Sequence, residues 1–198
     1  MKLFFAIILI TTLAAIGLAQ TEQAAITPKD LDYKDWTHPN LIGEGETNLR
    51  KFTEGKKLVM VVYWAPWCPN WRHDVAFVQE LHEKYGKEGL AIIGVGEYDT
   101  VEKMRAHATQ YALSFPLVYA SVTHLDREKT VHYAQRKEAG DIRRWGTPWY
   151  IFLENGKVAP AGETLATKLD LVNGELIKNE AEAYIRGKLG LDAKSSAP

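Results

Sequence analysis

VVYWAPWCPNWRHD, residues 61–74, decides the fold. Its first half completes LVMVVYWA (58–65), a continuous apolar run rich in β-branched side chains. A short, bounded run of this kind suits a strand buried on both faces. Its second half opens a helix. Trp71, Val75, Val78, Leu81 and Tyr85 recur at spacings of three and four, which makes one apolar face over 70–85. Pro69 fits a first-turn position, where no backbone donor is needed, and Gly86 supplies a stop. Cys68 therefore sits at a helix N-terminus, where strand gives way to helix.

The pattern continues outward. LAIIGVG (90–96) is a second buried strand. Asp99 and Glu102 have capping-box spacing and open a helix with the face Val101, Met104, Ala108 and Tyr111. FPLVYA (115–120) is a third strand. Residues 121–141 are charged and polar, with a helix around 129–137, and are expected to be an inserted surface element. WYIFLE followed by NGKVAP predicts a hairpin turning at Asn155-Gly156, and KLDLVNGELI a second one at Asn173-Gly174. Ala181, Tyr184, Ile185 and Leu189 make the face of a last helix. Strands alternating with amphipathic helices imply an α/β sandwich, and the closing hairpin makes its sheet mixed.

The chain has 198 residues and a formal net charge of −1, with acidic and basic residues interspersed. That length suits one domain with appendages. The charge pattern points to neither nucleic acid nor an anionic membrane surface as a partner. There is no phosphate-binding loop, no Ser-His-Asp spacing and no internal repeat. No cofactor is implied. No metal site is expected either, because the six histidines are scattered and His124 or His132 would have to be brought in by the insert. MKLFFAIILITTLAAIGLAQ has the layout of a secretory signal peptide over 1–19; an uncleaved anchor is the rival reading. Either way the domain is exported, to a periplasm or the exterior. Residues 20–46 read as a linker and entry segment, 47–190 as the domain with its insert at about 121–141, and 191–198 as a flexible tail.

Export makes the cysteine count odd, since Cys68 is the only cysteine and oxidising compartments favour pairs. A lone cysteine is buried and inert, bonded to another molecule, or a reactive thiol. At a helix N-terminus the orphan N–H groups and the macrodipole favour a thiolate, while a nearby carboxylate such as Asp74 opposes it. Five of the six tryptophans flank two short stretches: Trp64, Trp67 and Trp71 around the cysteine, then Trp145 and Trp149 around Gly146-Thr147-Pro148.

These stretches carry a resemblance. VVYWAPWCPNW resembles the strand and active-site turn of thioredoxin-like proteins, and WGTPWYIFLENGKV their cis-proline segment. LAIIGVG and LSFPLVYA are similar to the TlpA/ResA branch of exported thiol-disulfide oxidoreductases. The resemblance spans about 47–189 and implies a thioredoxin-like three-layer sandwich. It also implies that Trp67, Pro69, Asn70 and Trp71 form the active-site turn, and that Pro148 is cis. The backbone at Thr147 would then pair with a substrate chain, and Trp67 and Trp145 would rim one groove. Trp71 stands where the family has its second cysteine, filling core volume or contacting a ligand. Asp74 stands at the family's acidic position, six after the cysteine, where a proton-handling role is expected.

A dithiol enzyme resolves its mixed disulfide with the second cysteine, and this chain lacks that step. Monothiol exchange with exported cysteine-containing proteins, peptides or low-molecular-weight thiols is one expectation. A redox-inactive peptide-binding adaptor is the second. A one-cysteine peroxidase is the third, disfavoured because no threonine stands a few residues before Cys68.

Overall fold

The computed structural model describes residues 22–192, so the expected signal peptide and most of the expected tail lie outside the described residues. Four short strands come first: Gln23–Ala24 (β1), Thr27–Lys34 (β2), Thr37–Pro39 (β3) and Glu46–Asn48 (β4). The helix Leu49–Thr53 (α1) leads into Leu58–Trp64 (β5) and Pro69–Tyr85 (α2). Leu90–Gly96 (β6), Val101–Gln110 (α3), Leu117–Tyr119 (β7) and Val131–Glu138 (α4) follow. Trp149–Glu154 (β8), Thr164–Val172 (β9), Glu175–Leu176 (β10) and Lys178–Leu189 (α5) close the fold. No helix among the described residues is long and apolar enough to cross a membrane.

The central sheet has the order β2-β9-β8-β5-β6-β7. β5, β6 and β7 run parallel, and β8, β9 and β2 add antiparallel, so the sheet is mixed as predicted. All seven residues of β5 are buried. Leu58, Met60, Val62 and Trp64 pack on one face with α2, α3 and α5. Val59, Val61 and Tyr63 pack on the other with Leu31, Tyr33, Trp36 and Trp149. The period of two along a strand divides one apolar run between two cores. The predicted face of α2 is fully engaged: Trp71, Val75, Val78, Leu81 and Tyr85 are all buried.

Four expectations need correction. Within the expected linker and entry segment, the described residues 22–46 are not all linker: β2 is an edge strand of the main sheet and buries Leu31 and Tyr33. Pro28 and two register shifts blur its alternation, and an edge is where a sheet tolerates proline. The pair β8/β9 exists, but Asn155–Lys157 form a 3-10 turn and β9 starts only at Thr164, so VAP is not a strand. Asn173-Gly174 joins β9 to β10, yet β10 pairs parallel with β1 rather than folding back on β9. Finally, Thr100 rather than Asp99 caps α3, its hydroxyl accepting the Lys103 N–H.

Candidate active site

Cys68 is the N-cap of α2, in extended backbone conformation (φ −70°, ψ 120°) with Pro69 at the first helical position. Its N–H donates to Ala65 O at 3.0 Å, which tightens the turn out of β5. The Thr147-Pro148 bond is cis, and Cys68 Sγ–H donates to Thr147 O at 3.2 Å. The two stretches singled out in the sequence therefore meet through the cysteine. The thiol is only 4% exposed, more enclosed than an exposed active-site turn predicts. Residues 143–147 line the same cavity as the cysteine, and Thr147 O accepts from it. A cavity of about 220 Å³ lies beside the sulfur, lined by Trp67, Pro69, Asn70, Arg143, Trp145 and Thr147, among others.

Trp67 and Trp145 are partly exposed, meet edge-to-face with centroids 5.1 Å apart, and both line this cavity. The Trp67 indole N–H donates to Tyr98 O at 3.3 Å, and Arg127 and Arg144 lie over the Trp145 ring. Trp64 and Trp149 are wholly buried, as their strand positions predict.

Trp71 is core. It has no exposed surface, lies against Trp64 at 5.8 Å, and its indole N–H donates to His107 Nε2 at 2.9 Å. Burial pushes the His107 imidazole down to about 4, so at neutral pH it is an uncharged acceptor. The place of a resolving thiol is thus taken by a packed, hydrogen-bonded indole.

Asp74 is fully buried on α2. Its Oδ2 accepts the Tyr150 hydroxyl at 2.7 Å and the Leu176 N–H at 2.8 Å, and its Oδ1 lies 3.2 Å from His73 Nδ1. Burial raises its pKa, and these hydrogen bonds only partly offset the shift. Tyr150 is held far above the ordinary phenol range, first by burial, then by the Asp74 charge, with a smaller contribution from Cys68. Asp74 and Tyr150 thus form a buried, hydrogen-bonded pair. His73 and Arg72 are exposed; Arg72 Nε donates to Pro66 O at 2.8 Å rather than to the sulfur.

The insert is not merely surface. Arg136 on α4 is fully buried and donates to Arg143 O at 2.8 Å and Arg144 O at 3.0 Å. It holds the loop that covers Cys68. His132 is also buried, stacked on Tyr63 at 4.7 Å. Next to it, the buried Glu97 carboxyl accepts the Ser121 hydroxyl, and burial pushes it up to about 8. A charge-rich segment hides such burial, because long side chains satisfied by backbone carbonyls look like solvent residues in sequence.

Three residues beside the thiol escaped the sequence reading. Tyr150 was legible in part, since strand alternation places it with Phe152 on the α2 side. Arg143 stands four residues before Thr147, and Asp141 fixes it through three contacts of 2.7–3.2 Å. Glu22, the first described residue, reaches the site from just before β1, and no local signal marks it. Among the described residues, no group of three or more His, Cys, Asp or Glu side chains is arranged to hold a metal ion.

Known proteins fit this geometry. Residues 31–138 match the AhpC/TSA family. The chain is 28% identical over 118 residues to the thiol-disulfide oxidoreductase ResA of Bacillus anthracis, covering 58% of this chain and 67% of that one. It is 32% identical over 78 residues to the thioredoxin-like protein YneN of Bacillus subtilis, covering 37% and 44%. Among solved structures, a secreted thiol-disulfide isomerase from Corynebacterium glutamicum superposes with a TM-score of 0.60 at 18% identity, covering 80% of this chain and 85% of that one. A secreted Mycobacterium tuberculosis disulfide oxidoreductase homologous to E. coli DsbE gives 0.54 at 16% identity, covering 77% and 95%. The structural likenesses establish a thioredoxin-like fold. The family match spans more than half of the chain and includes Cys68: the chain belongs to the AhpC/TSA family, with thiol-disulfide oxidoreductases of the ResA type among its relatives.

Proposed function

We propose that this chain is an exported single-thiol exchanger. Cys68 Sγ loses its proton and attacks one sulfur of a disulfide. A Cys68–sulfur bond forms, the old disulfide bond breaks, and the second sulfur leaves as a thiolate that takes up a proton. A thiol from outside the chain then attacks the mixed disulfide and restores Cys68. Each step exchanges one disulfide for another, so there is no net oxidation or reduction by the protein alone. Trp71 supplies no resolving sulfur. Asp74 and Tyr150 take the proton-handling role, and the Thr147 backbone with Trp67 and Trp145 positions the partner. That partner is an exported cysteine-containing protein or peptide, or a low-molecular-weight thiol.

The observation that carries this reading is the placement of Cys68: Sγ lies 3.2 Å from Thr147 O, next to a cis-proline and beside a cavity. The adaptor reading draws on a different observation, the 4% exposure of the same residue. Incubation with oxidised glutathione, read by intact mass, separates them. Exchange predicts one glutathione adduct that added thiol removes and that Cys68→Ser abolishes. A native protein that stays unmodified while the unfolded chain reacts fully would leave the adaptor.

A further inference from the structure

Glu22 lies in the Cys68 cavity as a carboxylate that belongs to the chain itself. The cavity wall includes Glu22 together with Cys68, Asn70 and Arg143. Glu22 Oε2 accepts from Asn70 Nδ2 at 2.6 Å and from Arg143 Nη1 at 3.3 Å. Neither donor is loose. Asn70 stands on the first turn of α2, two residues from the sulfur. Arg143 has its Nε and Nη2 engaged by the buried Asp141, and Nη2 also donates to Pro148 O at 2.9 Å, which leaves Nη1 between the Glu22 carboxylate at 3.3 Å and Thr147 O at 3.5 Å. An arginine fixed by a buried acid and presenting one nitrogen, Nη1, to a cavity is a pre-oriented donor for a carboxylate oxygen.

The occupant, by contrast, is lightly held. The Glu22 side chain is 45% exposed. Its segment is anchored by the two-residue parallel pairing of β1 with β10 and by the Glu175 N–H donating to Glu22 O at 2.9 Å. The buried Glu175, whose N–H bonds Glu22 O and whose carboxyl feels the Glu22 charge, also lies close by, so adding an anion to the site would be opposed. Exchanging one carboxylate for another leaves the local charge unchanged. At about 220 Å³ the cavity is smaller than the range of roughly 300–1,000 Å³ usual for drug-sized ligands.

We propose that Asn70 and Arg143 bind the carboxylate of a small disulfide substrate beside Cys68, and that Glu22 occupies this position until substrate displaces it. The proposal rests on the single-thiol reading and adds its substrate class: low-molecular-weight disulfides bearing a carboxylate a few bonds from sulfur. Exchange then proceeds as above, with the carboxylate-bearing half bonded to Cys68 and the other half leaving as a thiol.

The test uses three symmetric disulfides that differ in charge: dithiodipropionate (anionic), bis(2-hydroxyethyl) disulfide (neutral) and cystamine (cationic). Rates of mixed-disulfide formation at Cys68 are read by intact mass. Each is divided by the rate of the same reagent with free 2-mercaptoethanol, which removes intrinsic reactivity. The anionic reagent should exceed the neutral one by about tenfold, a typical worth for a charge-assisted hydrogen bond. Glu22→Gln should enlarge that ratio about threefold by weakening the internal competitor, and Asn70→Ala should reduce it. Gly174→Ala tests the strap independently, because its added Cβ would meet Glu22 O; it should also enlarge the ratio. Adducts that form with no preference for the anion, or a Glu22→Gln ratio equal to that of the parent, overturn the clamp while leaving single-thiol exchange intact. No adduct with any of the three overturns both.

Discussion

Replacing Trp71 by cysteine would restore two cysteines separated by two residues, and the structure predicts a damaged protein. The indole is fully buried between Trp64 and His107. Truncating a buried tryptophan to alanine costs about 3–5 kcal/mol, and the cysteine sulfur fills only a small part of the void. The change also leaves His107 Nε2, now bonded at 2.9 Å, as a buried acceptor without its donor, which costs about 1–3 kcal/mol. The void and the orphan overlap, so the expected loss for Trp71→Cys is about 3–5 kcal/mol. With a urea slope of about 2 kcal/mol per molar, the unfolding midpoint falls by roughly 1.5–2.5 M. The assay is equilibrium urea unfolding with excess reductant, so that no new disulfide offsets the loss. Trp71→Phe keeps most of the volume and should lose about half as much. A midpoint shift below about 0.5 M for Trp71→Cys would show that the indole is not a core side chain.

Other consequences follow from the same contacts. Burial lowers the His107 imidazole to about 4 in the folded protein, against an ordinary value of 6.5; its stabilising neutral form is fully present above pH 6.5 and is lost as pH falls toward 4. His107→Gln, which keeps an acceptor but does not titrate, should therefore lose about 2 kcal/mol less than the parent between pH 7 and 4.5, as measured by urea midpoints at each pH. Asp74→Asn can keep both donors to Oδ2 on its single amide oxygen, as a neutral and weaker acceptor, and puts an NH2 in place of Oδ1 beside His73; it should cost about 1 kcal/mol and change the pH profile of mixed-disulfide formation at Cys68, and an unchanged profile would exclude Asp74 from proton handling. Gly146 has φ +66°, and an added Cβ would meet the buried Arg136 side chain. Gly146→Ala should cost about 2 kcal/mol or more and speed alkylation of Cys68 by loosening the loop that covers it.

The framework was legible where information is local. The short, bounded, β-branched apolar run LVMVVYWA and the periods of three and four after Cys68 give strand, turn and helix directly, because those residues face a core whatever else the chain does. The juxtaposition of Cys68 with Thr147-Pro148 came through resemblance. What stayed hidden depends on distant parts of the chain. β2 reads as linker because an edge strand needs only Leu31 and Tyr33 buried. The 121–141 segment reads as surface because the carbonyls that satisfy Arg136 belong to residues 143 and 144. The enclosure of Cys68 and the placement of Glu22 beside it follow from the pairing of β1 with β10 and from the 143–147 loop, neither of which has a local signature. Asp99 reads as the cap that Thr100 provides, a difference of one residue between two competent caps.

Single-thiol exchange is tested most directly by the fate of Cys68 in the folded protein after mixing with oxidised glutathione and then with free thiol, followed by intact mass over time. Exchange predicts one adduct per chain, formed under native conditions and fully released by the added thiol. A folded protein whose single thiol stays unmodified, or whose adduct resists release, would contradict it.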